Sequence, residues 1–218
     1  MEIHEPLKDI LHVHFDRQYD LAATFLRFQE HYESPKFRGK IFTLKEYRRW
    51  YIAHSAKGRK TRKFTYYKDW EGFNVPSDVL DPFYQGDFDP LSEREQIFLQ
   101  LFRKRRGKLF YVIGTSGDEN ILTLKHEIAH GLFYTRPAYR KTVLSILREI
   151  PDNVRRKIQQ FFASSRDYHP RVFYDETHAY VLTDLHTLQQ ETKLGTRMLI
   201  DISEKLEANF QRVSHRKF

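Results

Sequence analysis

The chain has 218 residues, with 37 Lys and Arg against 29 Asp and Glu, and no cysteine. Disulfides, thiolate metal sites and a cysteine nucleophile are excluded, so any transition-metal site must use His and carboxylate. With 18 Phe and 13 Tyr but only nine Gly and eight Pro, the composition also excludes wholesale disorder and collagen-like or low-complexity classes.

In the first thirty residues the apolar positions Leu7, Ile10, Leu11, Phe15, Leu21, Phe25 and Phe28 fit one or two amphipathic helices, closed by the break at Ser34 and Pro35. His12 and His14 flank Val13 and would share a side only in an extended segment, so a helix there argues against a metal site. Thr43 and Glu46 form a capping box, with Phe42 placed to staple onto Tyr47, and predict a helix to about His54. A basic run follows at 57–63. Phe64 to Tyr67 is strand-like, and residues 71–90 read as a long surface loop rich in Gly, Pro, Asp and Asn. Ser92 and Glu95 open another helix, which the cations 103–106 and Gly107 stop.

Lys108 to Ile113 is the clearest strand, closed by a turn at Gly114 to Gly117. A helix follows from about Asp118 to Tyr134, ended by Arg136 and Pro137. Further helices are expected at 139–149, 153–163, 175–184 and 197–212. The expected fold class is therefore α+β: a mostly helical single domain with a small sheet. Residues 1–107 form an uncharacterised helical and loop portion, and 108–218 the portion that carries the chemistry. No apolar stretch reaches the length of a membrane span and no signal peptide is evident, which points to the cytoplasm.

The chemistry lies in His126-Glu127-Ile128-Ala129-His130, an H-E-x-x-H motif. On a helix the two His lie one turn apart on one face and can reach one metal ion. Glu127 is rotated by about 100° and can sit beside the open position, ready to take a proton from water. Ser116 and Ser164 lack the G-x-S-x-G setting of a serine hydrolase, and the 114–117 turn is not a P-loop.

Residues 109–134 resemble the strand-loop-helix core of zincin metallopeptidases. The resemblance implies a Zn2+ cofactor held by His126 and His130, with Glu127 as general base in peptide-bond hydrolysis. It also implies a peptide or protein substrate, paired as an extended strand along 109–113. The metzincin continuation H-x-x-G-x-x-H is absent after His130. The gluzincin branch takes a Glu from a later helix, and Glu176 with Ala179 makes its E-x-x-A pattern. His178, Asp175 and His169 are alternatives for the third ligand. His178 lies about 200° round a helix from Glu176, so the two cannot both face the metal. A carboxylate to hold the other ring nitrogen of either His is expected among Asp118, Glu119 and Asp184. Tyr180, one turn after Glu176, is the candidate oxyanion donor, with Tyr168 and His169 as alternatives. The net charge of +8 permits nucleic-acid binding. The competing function is a non-catalytic metal-binding or nucleic-acid- or partner-binding module on the same fold.

Overall fold

The computed structural model describes residues 1–70, 72–118, 120–165, 168–193 and 196–215. The chain is α+β, mostly helical with one mixed four-stranded sheet. It divides into two compact units, Met1–Glu119 and Asn120–Phe218.

The first unit opens with an antiparallel hairpin of β1 (Glu2–Leu7) and β2 (Ile10–Phe15), followed by α1 (Gln18–Glu33). The helical reading of the first thirty residues is therefore half wrong. Leu11, Val13 and Phe15 alternate and bury on one face of β2, a period of two that a helix would scatter. Extension also puts His12 and His14 on one side, where both rings bond the Thr115 hydroxyl, at 2.7 and 3.0 Å.

α2 (Leu44–His54) begins with the expected capping box: Thr43 N–H donates to Glu46 Oε2 at 2.7 Å, and Glu46 N–H donates to Thr43 Oγ1 at 3.2 Å. Ser55 ends it and caps α3 (Ala56–Thr61) through the Gly58 N–H. The strand expected at 64–67 is instead a 3-10 turn, Tyr66–Lys68, with Tyr66 buried among the rings of Tyr47, Tyr51 and Phe64. The loop expected at 71–90 is also mostly ordered: β3 (Gly72–Pro76), a 3-10 turn and α4 (Asp81–Gln85). Its aromatics explain why. Phe73, Phe83 and Phe88 are all buried, and the last two stack with centroids 3.8 Å apart. α5 (Glu93–Phe102) starts at the Ser92–Glu95 capping box. β4 (Tyr111–Ser116) lies three residues later than expected, so Gly114 to Ser116 are strand rather than turn.

The strand order is β1-β2-β4-β3, with β4 parallel to β2 and antiparallel to β3. This corrects the expectation that strand 109–113 recruits substrate. A strand bonded on both sides has no free row of N–H and C=O groups to offer a peptide. α1 packs close to β4: a Cβ built on Gly114 would come within 2.6 Å of Leu21 Cδ1 and 2.7 Å of Phe25 Cε2. Gly114→Ala is expected to cost about 1–3 kcal/mol, the range for overpacking a filled core, read as a lower urea midpoint at unchanged slope. A midpoint equal to the parent's would show that α1 can shift freely.

Under α1 lies a buried ion pair. Arg27 donates through Nε to Glu95 Oε1 and through a terminal nitrogen to Oε2, both at 2.6 Å, and also donates to Phe88 O at 2.9 Å. Both side chains are under a tenth exposed.

The second unit is helical: α6 (Ile121–Thr135), α7 (Pro137–Leu147), α8 (Asp152–Ser165), α9 (Phe173–Thr183), α10 (Leu185–Thr192) and α11 (Thr196–Ser214). Asn120 starts α6 by accepting from the Leu122 N–H at 2.9 Å, and Arg136 ends it before Pro137, the first residue of α7. α10 was not anticipated; Asp184 caps it by accepting from the Thr187 N–H. α6 packs on α9 and α7, and α11 packs on α7 and α9. Ala129 and Ala179 are fully buried, and their small side chains let α6 and α9 approach closely. Among the described residues no helix is long and apolar enough to cross a membrane.

Candidate metal centre

α6 presents His126 and His130 one turn apart, and α9 presents Glu176 toward them. Among the described residues, these three form the group able to hold a metal ion, with ligand atoms all within 4.8 Å of one another. His126 Nε2 and His130 Nε2 are 3.2 Å apart, and His130 Nε2 is 3.8 Å from Glu176 Oε1. Ligands about 2.0–2.1 Å from a tetrahedral zinc stand roughly 3.4 Å from one another, so the spacing suits that ion.

The far side of each ring explains the convergence. Thr183 Oγ1 donates to Ala179 O at 2.8 Å, which spends its proton. It must therefore accept from His126 Nδ1, 2.9 Å away. His130 Nδ1 lies 2.9 Å from Asp175 Oδ1, an ion-pair distance. The two Nε2 atoms face each other, and were neither to carry a proton they would turn lone pairs toward one another across 3.2 Å. Two lone pairs at hydrogen-bond distance repel unless a positive species lies between them. A proton or a metal cation fills that role, and the carboxylate of Glu176 favours either.

Asp175 is thus the carboxylate that lies against the far nitrogen of His130. It had been weighed as a ligand, whereas the expected holders were Asp118, Glu119 and Asp184. Asp184 is the α10 cap, and Glu119 lies outside the described residues. Burial opposes ionisation of Asp175, but His130 and His178 hold its carboxyl below the usual range. Burial likewise opposes charge on His130, yet Asp175, then Glu176 and Glu127, outweigh it and raise the imidazolium well above the ordinary histidine value. His178 points away from Glu176. Burial lowers its pKa, so it stays neutral. The Tyr139 hydroxyl, pushed up by burial, keeps its proton and donates to His178 Nε2 at 2.8 Å, leaving His178 Nδ1 to face Asp175 Oδ1 at 3.5 Å. Asp175 therefore stands between two imidazoles, 2.9 Å from His130 Nδ1 and 3.5 Å from His178 Nδ1.

The remaining candidates are distributed as follows. Glu127 is buried beside its neighbour His126 and adds to the field on His130. The Tyr180 ring meets His126 edge-on at 5.2 Å, backed by Phe162. His169 accepts from the Arg171 N–H at the turn entering α9. Tyr168 packs against Phe162.

The sequence reading missed Thr183, although a signal was present. Glu176, Tyr180 and Thr183 recur at spacings of four and three, one stripe of a helix. No family model matches the chain, and neither a curated protein nor a solved structure matches it.

Proposed function

We propose that the second unit is a zinc-dependent hydrolase of peptide bonds, similar in its ligand set to gluzincin metallopeptidases. The observation that carries this reading is the pair of Nε2 atoms held 3.2 Å apart beside Glu176, with Thr183 and Asp175 against the two Nδ1 atoms. His126, His130 and Glu176 would hold the metal. A bound zinc supplies Lewis acidity, which polarises a carbonyl and lowers the pKa of water.

The chain's own groups supply the rest. Glu127 accepts a proton from the attacking water and delivers it to the leaving amine. Tyr180 donates to the oxygen on which charge develops. Asp175 and Thr183 keep the two rings in the tautomer that offers Nε2.

The test is elemental analysis of untagged protein beside His126→Ala, with casein cleavage assayed with and without a chelator. About one zinc per chain, lost in the variant, with chelator-sensitive cleavage is the expected result. Zinc absent from both proteins after loading and removal of excess would overturn the reading.

A further inference from the structure

The net charge of the chain is +8, and it is concentrated. Between Leu44 and Phe64 stand eight Lys or Arg residues against one carboxylate, Glu46. That stretch is α2, Ser55, α3 and the residues just after it. α2 buries Tyr47 and Tyr51 and exposes Lys45, Arg48 and Arg49. α3 and its flank expose Lys57, Arg59, Lys60, Arg62 and Lys63.

Elsewhere the chain pairs many of its cations: Arg27 with Glu95, Arg94 with Asp20, Arg105 with Glu5 and Lys125 with Glu207. Here only Lys57 meets a carboxylate among the described residues, Asp69 at 3.1 Å. Glu46 is spent on the Thr43 cap. Arg48 lies over the half-buried Phe64 ring at 5.1 Å, which orients its guanidinium without neutralising it. Seven cations here share a single carboxylate, Glu46, so they repel one another, and this self-repulsion is relieved when a polyanion lies across them.

We infer that α2 and α3 form a docking surface for the phosphodiester backbone of a nucleic acid. Three features favour this partner. Exposed cations recur along both helices, Lys45, Arg48 and Arg49 on α2 and Arg59 and Lys60 on α3, so a polyanion can meet several of them at once. Half of the cations are Lys, which protein–protein interfaces avoid, and from Leu44 to Lys63 the only exposed large apolar side chain is Leu44 itself, too little to anchor a protein or enter a lipid layer. Trp50, stacked on His54 at 5.8 Å and half-buried, adds a ring at the same surface on which a base can stack.

The test is fluorescence anisotropy of a labelled 20-nucleotide oligo(U) RNA, and of DNA of equal length, titrated with the full chain from 50 to 200 mM KCl. The variant is Arg49→Gln/Arg59→Gln/Lys60→Gln/Lys63→Gln, four exposed side chains with no ion pair among the described residues. The parent should bind with log Kobs falling linearly in log [KCl]. The variant should bind at least about tenfold more weakly and lose about 2–3 units of that slope, since each phosphate contact on a single strand contributes about 0.7. RNA and DNA arms of similar strength would point to backbone recognition; a preference for either would identify the source. His126→Ala should bind as the parent does, which separates this surface from the metal reading. Absence of salt-dependent binding, or equal binding by the variant, would overturn the inference. So would tighter binding, lost in the variant, to poly-glutamate or to phosphatidylserine vesicles at equal charge.

Discussion

Glu127→Gln is expected to keep about one zinc per chain and to lose about 100- to 10,000-fold in casein cleavage, the span a positioned general base contributes. The substitution preserves shape and removes only the ability to accept a proton. It leaves untouched Asp175 and Thr183, which lie against the Nδ1 atoms of His130 and His126. The loss should therefore fall on turnover and not on metal content, measured side by side on the same preparation. Full activity in this variant would remove Glu127 from the mechanism while leaving the metal centre standing. Loss of zinc together with activity would mean that Glu127 supports the ligands rather than the reaction.

Arg27→Met is expected to destabilise the first unit by about 3–5 kcal/mol, the cost of leaving a buried carboxylate without its partner. Glu95 loses both guanidinium bonds and retains the Ser92 N–H and hydroxyl, which its Oε2 accepts at 2.7 and 2.8 Å. Glu95→Gln in the Arg27→Met background should recover much of the loss. An amide carries no charge to bury, and Gln still serves a capping box. Urea unfolding of both variants against the parent reads this directly. A single-variant loss under about 1 kcal/mol would show that water or a rearranged neighbour compensates Glu95.

What the sequence made legible was local. The two capping boxes depend on residues within a turn of one another, and each formed where its chemistry predicted, whereas α5 ends at Phe102, ahead of the cations and Gly107 expected to stop it. The H-E-x-x-H spacing placed His126 and His130 on one face for the same reason. Misreadings arose where distant partners decide. Leu7, Ile10, Leu11 and Phe15 satisfy a helical spacing and a strand alternation almost equally well, and pairing with β4 resolves the ambiguity. In 71–90 Gly86 and Pro90 do mark a turn and a bend, but Gly72 and Pro76 lie in β3 and Pro82 in α4, and aromatic burial turned most of the stretch into structure. Asp175 and Glu176 are adjacent carboxylates, indistinguishable by composition. Only the packing of α9 on α6 gives one to a ring Nδ1 and aims the other at the Nε2 pair.

The inner pairing of the sheet sets a schedule for folding. β2 and β4 are neighbours, yet the hydrogen-bonded side chains of His12 and Thr115 are 103 positions apart. During synthesis, at about 5–20 residues per second, the amino-terminal hairpin is complete many seconds before the strand that must lie beside it exists. Until then the inner edge of β2 and the apolar face of α1 have no sheet to complete. Such high contact order slows the final closure, because the loop entropy is lost before the contacts form. Chaperone dependence of this protein should therefore concentrate in nascent chains that have passed α1 but not yet released β4 from the ribosome.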